Sequence, residues 1–133
     1  MSIGTIIGNV PLLIFPYALY HILALGGPEA MDATIAGDFF TKGNFIVLLG
    51  IGLLYVEIYK ATRTGQSSIV DHMASMVLFI VALIEFLMTG IAHHSSFFLL
   101  MMIMLVDVVG GFTVTIRGAR RDFGAGGGGI PMG

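Results

Sequence analysis

Four long runs of apolar residues dominate the chain, and short polar segments separate them. The runs cover residues 3–25, 43–59, 70–92 and 96–116. A helix needs about 20 apolar residues to cross the roughly 30 Å hydrocarbon core of a bilayer, and each run comes close to that length. The pattern predicts an all-α fold, an integral membrane four-helix up-down bundle within residues 1–123. Residues 124–133 are rich in glycine, so we expect a flexible tail there.

Composition agrees with a membrane protein and excludes several other classes. Only 11% of the 133 residues are charged, whereas 56% are hydrophobic. Soluble domains carry about 25% charged residues. Cysteine is absent, which excludes disulfides, thiolate zinc sites, iron–sulfur clusters and thiol catalysis. The net charge of −2, with six basic residues, gives no surface for nucleic acid. We expect the lipid bilayer to be the main partner.

The positions of the basic residues predict the orientation of the chain. Lys60 and Arg63 lie between the second and third runs, while Arg117, Arg120 and Arg121 follow the fourth. An even number of spans places both groups on the same side of the membrane. Because cytoplasmic loops carry an excess of Lys and Arg, we expect both termini in the cytoplasm and a multi-pass protein of the cell inner (plasma) membrane.

Two carboxylates interrupt the third and fourth runs. Glu85 and Asp107 would each cost roughly 2.5–3.5 kcal/mol at the centre of a spanning helix, so they normally face protein or water. Depths of roughly 10 Å and 15 Å below the outer helix ends place them at similar levels. A neighbouring pair of acids can share a proton or hold a cation. We therefore predict an ion- or proton-handling site of Glu85, Asp107 and Thr89. The alternative is that both acids are protonated and only join helices.

Small residues and two prolines add packing features to this scheme. Pro11 and Pro16 are compatible with an ordinary proline-containing span, which we favour, or with a broken first helix, whose freed carbonyls would join the two acids around an ion. Glu57 and Lys60, three residues apart near the inner end of the second helix, predict an interfacial ion pair. Small residues allow close approach of membrane helices, and the predicted packing positions are Gly4, Gly8, Ser75, Ala82, Gly110 and Gly111.

Histidines and methionines near the outer surface raise the question of a cofactor. His21, His93 and His94 lie on that side, and a methionine-rich stretch (residues 101–104) follows directly. Imidazole with thioether suits copper(I), and two histidines from different helices could bind haem iron. The alternative is that methionine fills apolar space and the histidines occupy a hydrated turn. We favour this alternative, with no cofactor.

No catalytic motif is present, since G-x-S-x-G, H-E-x-x-H and glycine-rich phosphate loops are all missing from the sequence. We therefore predict that the protein is not an enzyme. The hypothesis that we favour is a non-enzymatic subunit or assembly module of a homo-oligomer or larger membrane complex. The alternatives are a proton- or cation-handling transporter that uses Glu85 and Asp107, and a haem- or copper-binding redox protein.

Overall fold

The computed structural model describes residues 2–63 and 65–127. The chain is mostly helical, at 81%, with five α-helices in this described part. In order, the elements are α1 (Ile3–Asn9), α2 (Ile14–Ala24), a 3₁₀ helix (Pro28–Asp32), β1 (Thr34–Ala36), β2 (Phe40–Thr41), α3 (Lys42–Ala61), α4 (Gln66–Met88), a 3₁₀ turn (Gly90–Ala92) and α5 (Ser95–Gly127).

Three of these helices are long and apolar enough to cross a membrane, namely α3, α4 and α5. The pair α1 and α2 reaches the required length only together, and it is bent by 83°. The first predicted span is therefore not one continuous helix. The physical reason is Pro11, which disfavours helical geometry at the residue before it. Val10 accordingly has extended backbone angles, with φ −110° and ψ 130°.

Helix α5 lies between α3 and α4 and contacts both more extensively than they contact each other. Two glycines of α3 allow this approach. A Cβ added at Gly50 would lie 3.0 Å from Leu100 Cδ1, and one added at Gly43 would lie 2.6 Å from Ser96 Oγ. The buried apolar core fills the half of the molecule near the α4–α5 connection. It comprises Leu13, Tyr20, Met31, Ile46, Ala82, Ala92, Phe97, Leu100, Met101, Ile103 and Met104.

The connection between α2 and α3 is compact. Its 3₁₀ helix is followed by an antiparallel hairpin of β1 and β2, in which Gly37 has a φ of +61°. Glycine tolerates this left-handed conformation because it has no Cβ. Thr41 then caps α3, since its hydroxyl accepts a hydrogen bond of 3.2 Å from the Asn44 amide.

Helix α5 has 33 residues and is therefore about 50 Å long. It continues well past residue 116, where the fourth predicted run ended, through a segment in which the helix formers Arg117, Ala119, Arg120 and Arg121 are followed by glycines. Residues 124–127 of the predicted glycine-rich tail belong to this helix. Residues 128–133, the remainder of that predicted tail, lie outside the described residues.

The outward faces of the long helices are apolar. Leu48 on α3, Val77 on α4 and Val109 on α5 are 57%, 60% and 57% exposed. Apolar surfaces of this extent are unusual on soluble monomers and are characteristic of proteins that contact lipid or a partner.

Candidate functional site

The break between α1 and α2 leaves two backbone groups without helical partners, and α3 supplies both partners. Glu57 accepts a hydrogen bond from the Leu12 amide. Lys60 Nζ donates to the Val10 carbonyl at 3.0 Å. Both side chains are buried, with exposures of 1% and 6%. Irregular backbone inside an apolar protein is tolerated only where such partners exist, so these contacts stabilise the break.

The Lys60 ammonium also links two carboxylates. Its Nζ lies 3.1 Å and 3.2 Å from the two Glu57 oxygens, and 3.1 Å from Asp71 Oδ1. Glu57 and Lys60 thus form the ion pair that their spacing predicted, and both are buried in contact with residues 10–12 and with α4. Glu57, Lys60 and Asp71 are called the charged cluster below.

Arg63 lies next to the charged cluster, at the α3–α4 end of the molecule. Its Nε donates to the Lys60 carbonyl and its Nη2 donates to the Gly8 carbonyl, each at 3.3 Å. A Cβ added at Gly8 would lie 3.3 Å from Arg63 Nη1, so the small residue leaves room for the guanidinium. Gly8 therefore packs against a side chain rather than against another helix backbone.

Asp107 lies beside the charged cluster, close enough to Asp71 and Lys60 for their charges to interact. It is only 2% exposed. Its neighbour Ser75 projects from the facing helix α4. Within the described residues, neither Asp107 Oδ2 nor Ser75 Oγ has a partner with hydrogen-bond geometry. The site thus combines three carboxyl groups with one ammonium, and the Asp107 carboxyl faces the Ser75 hydroxyl across the contact between α4 and α5.

Buried and half-buried polar residues extend from Asp107 toward the α3–α4 end. His72 Nε2 lies 2.9 Å from Thr115 Oγ1 and 3.4 Å from Ser68 Oγ. The imidazole fills the space over Gly111, where an added Cβ would lie 2.7 Å from Cε1. Steps of four and three residues place the α4 set on one helix face, and the α5 set shares a face because its two members are eight residues, or two steps of four, apart. We call these residues the polar seam: Ser68, His72 and Ser75 on α4, and Asp107 and Thr115 on α5.

Glu85 lies in a separate cluster near the α4–α5 end. Its carboxylate accepts a hydrogen bond from the Tyr17 hydroxyl and contacts His21 Nε2. His21 Nδ1 lies 2.8 Å from the Tyr17 carbonyl. Since a carbonyl can only accept, His21 Nδ1 carries a hydrogen. His21 thus contacts the Tyr17 backbone through Nδ1 and the Glu85 carboxyl group through Nε2.

The structure separates Glu85 from Asp107 and corrects their predicted pairing. Helix α4 ends at Met88 rather than at residue 92, so Glu85 lies about 5 Å from its end, whereas Asp107 lies about 18 Å inside α5. Thr89 does not join either carboxylate. It is extended and exposed, and its hydroxyl donates to the Glu85 backbone carbonyl at 2.9 Å.

The three histidines of the predicted metal site have separate partners. His21 binds Glu85, His93 Nε2 lies 2.8 Å from the Phe86 carbonyl, and His94 Nε2 lies 3.2 Å from Asp32 Oδ1. Among the described residues, no three His, Cys, Asp or Glu side chains are grouped so as to hold a metal ion. Met101 and Met104 pack in the apolar core. The structure thus does not gather the predicted haem or copper ligands.

The other small residues that were predicted to allow close helix packing have different surroundings in the structure. Ala82 is buried in the core, Gly111 faces His72, and an added Cβ at Gly110 would lie 3.8 Å from Ile58 Cδ1 of α3. Gly4 has only Ser2 Oγ, at 4.0 Å, within contact range and is exposed. Gly4 therefore has no packing role within the described structure.

Sequence reasoning missed the roles of Tyr17, Asp71 and His72. Tyr17 and His21 are four residues apart, a spacing that places both on one helix face and that could have suggested a joint site. His72 has the same spacing from Ser68. No local signal connects Asp71 to Lys60, because their contact joins two different helices.

Comparison with known proteins gives no further guidance on this geometry. No protein-family model matches the chain, and no match was found among curated proteins or among solved structures.

Proposed function

We propose that this chain is a small multi-pass membrane protein that binds and releases a proton or a small cation at Asp107. The observation that carries this proposal is the buried Asp107 Oδ2, which has no hydrogen-bond partner within the described residues and lies beside the charged cluster. An ionised acid at membrane depth is costly and commonly marks an ion or proton pathway. With Glu57, Asp71 and Asp107 all ionised against Lys60, the group has a surplus of negative charge that a proton or cation would offset.

The membrane arrangement is also a proposal, and we infer four spans in an up-down bundle within the inner membrane. We propose that the first span is the bent pair of α1 and α2, which reaches the length of a membrane crossing only as a pair. The break at Val10 lies level with the α3–α4 connection, since Gly8 and Val10 contact Arg63 and Lys60. That places α1 on the same side as the basic residues, and the excess of Lys and Arg favours the cytoplasm for this side. Both termini are then cytoplasmic.

The polar seam supports a route for the proton from the cytoplasmic side. It leads from Ser68 and Thr115, at the α3–α4 end, past His72 to Asp107. Beyond Asp107 the core is apolar and includes Ala82, Leu100 and Ile103. The Glu85–His21 pair lies on the other side of this apolar layer.

Because four helices rarely enclose a complete pathway, we propose that the chain works as a homo-oligomer or within a larger membrane complex.

The test is proton and cation flux in liposomes that contain the purified full-length chain. The parent should dissipate an imposed pH or cation gradient, measured with an internal fluorescent indicator. Asp107→Asn keeps the volume of the side chain but cannot ionise, so it should remain folded and abolish the flux. Asp38→Asn is the matched control, because it removes an exposed carboxylate of the α2–α3 connection that lies far from the polar seam.

Two results would contradict transport. A parent without flux for protons or monovalent cations would contradict it directly. Flux that is unchanged in Asp107→Asn would show that ions cross elsewhere. Circular dichroism of each variant would establish that the helices are intact before the flux is interpreted.

The second candidate is the non-enzymatic assembly module. One observation favours it. Gly52 is exposed on α3 near Leu48 and Tyr55, and an added Cβ there would meet nothing within 4 Å. A small residue on an apolar outer face allows close approach of another helix. A parent that shows no flux but has the mass of a defined oligomer in detergent would favour this role over transport.

A further inference from the structure

We infer that the cleft at the α3–α4 end binds a phosphate-bearing anion. The cleft has a volume of about 580 Å³ and is lined by the end of α3, the start of α4 and the basic part of α5. This volume lies in the range of small-molecule sites. It accommodates a phosphate group together with the glycerol backbone of a lipid. Ser68 and Thr115 belong both to the lining of this cleft and to the polar seam, whereas the arginines of the cleft have no part in the proton route through Asp107.

The charge of the cleft is positive. Arg63, Arg117 and Arg121 line it, and Asp122 is the one acid among the lining residues. Arg117 and Arg121 are four residues apart on α5, so they project from the same face toward the cleft. Neither forms an ion pair with another described residue. Guanidinium groups present several donors in a planar fork that matches phosphate oxygens.

Two hydrogen bonds to backbone carbonyls fix the position of the Arg63 side chain before any ligand binds. Its Nε and Nη2 donate to the Lys60 and Gly8 carbonyls, and its Nη1 forms no hydrogen bond with another described residue. A guanidinium that is fixed before binding loses less conformational freedom when it contacts a ligand. Arg63 thus provides a rigid contact, and the exposed Arg117 and Arg121 provide adjustable ones.

The first turn of α4 forms another wall of the cleft through Gly65, Ser68 and Ile69. This turn contains no acidic residue, and Gly65 provides no side-chain cap. The amide groups of a helix N-terminus favour negative charge, so they reinforce the arginines. Ile69 and Val114 give the cleft an apolar side as well. An anionic group beside an apolar wall matches the headgroup of an acidic lipid, while the same arginines would also bind free phosphate.

The inference is tested by ligand binding to the full-length chain in neutral detergent. Phosphatidylglycerol, phosphatidylcholine and inorganic phosphate are titrated separately, with bound lipid measured by native mass spectrometry and phosphate binding by thermal stabilisation. We expect phosphatidylglycerol or phosphate to bind, and phosphatidylcholine to bind more weakly. Each of Arg117→Gln and Arg121→Gln should weaken binding roughly fivefold, the effect of about one unit of charge near a membrane surface.

Arg120→Gln is the matched control, because it removes the same charge from the same helix at a position that does not line the cleft. Binding of phosphatidylglycerol alone identifies a lipid headgroup as the ligand, and binding of inorganic phosphate identifies a soluble anion. The inference is overturned if neither binds better than phosphatidylcholine. It is also overturned if Arg120→Gln weakens binding as much as the two lining variants do. Neither readout depends on ion flux, so this result is independent of the proposed transport.

Discussion

Replacing Lys60 with methionine is expected to destabilise the protein strongly. The side-chain length is retained, but the ammonium that contacts Val10, Glu57 and Asp71 is lost. Removing one partner of a buried ion pair costs about 3–5 kcal/mol, because the opposite charge stays buried without compensation. The unpartnered Val10 carbonyl accounts for about 1–3 kcal/mol of this loss. A loss of 3–5 kcal/mol changes the unfolding equilibrium by roughly a hundredfold to a few thousandfold.

The measurement is reversible unfolding in mixed detergent micelles, followed by circular dichroism. Combining Lys60→Met with Glu57→Gln and Asp71→Asn removes both uncompensated charges, so the triple variant should recover about 2 kcal/mol of the loss. Lys42→Met is the control, since Lys42 is half-buried and its side chain has no partner within the described residues. The reasoning fails if Lys60→Met unfolds like Lys42→Met, or if the triple variant is less stable than the single one.

Two further predictions address packing and topology. Gly111→Ala should lower the free energy of unfolding by about 1–3 kcal/mol in the same assay, because the new methyl would lie 2.7 Å from His72 Cε1. Gly52→Ala is the control and should be neutral or slightly stabilising, since an added Cβ there meets nothing within 4 Å. Equal losses of stability in the two variants would contradict the tight contact at Gly111. Reporter fusions in residues 62–65 and after Gly124 should both register as cytoplasmic, and an external signal from the second would remove one span.

Hydrophobic run length predicted that α3, α4 and α5 exist, but it misplaced the ends of α4. The predicted run covers residues 70–92, while the helix covers Gln66–Met88. Counting apolar residues omitted the polar first turn, which is helical because Gly65 allows the chain to enter α4 with a φ of +125°. At the other end, Thr89 leaves the helix. This shift of about one turn explains why Glu85 and Asp107 were expected at one level.

The candidate site could be predicted only in part, for a similar reason. The spacing of Glu57 and Lys60 is local, so their pairing follows from helix geometry. The contacts of Lys60 with Asp71 and of His21 with Glu85 join different helices. They depend on how each helix is rotated about its axis, which periodicity alone does not determine. The partner of the Leu12 amide also required the break at Val10 to be located exactly.

The break between α1 and α2 has a consequence for how the protein is made. The partners of Leu12 and Val10 lie 45 and 50 residues further along the chain. Until α3 has been synthesised, those backbone groups have no partner, and an unpaired backbone group in an apolar environment costs several kcal/mol. The N-terminal segment therefore completes its packing only after α3 is present. Glu57 and Lys60 likewise reach their buried positions together with the groups that they bind, rather than as isolated charges.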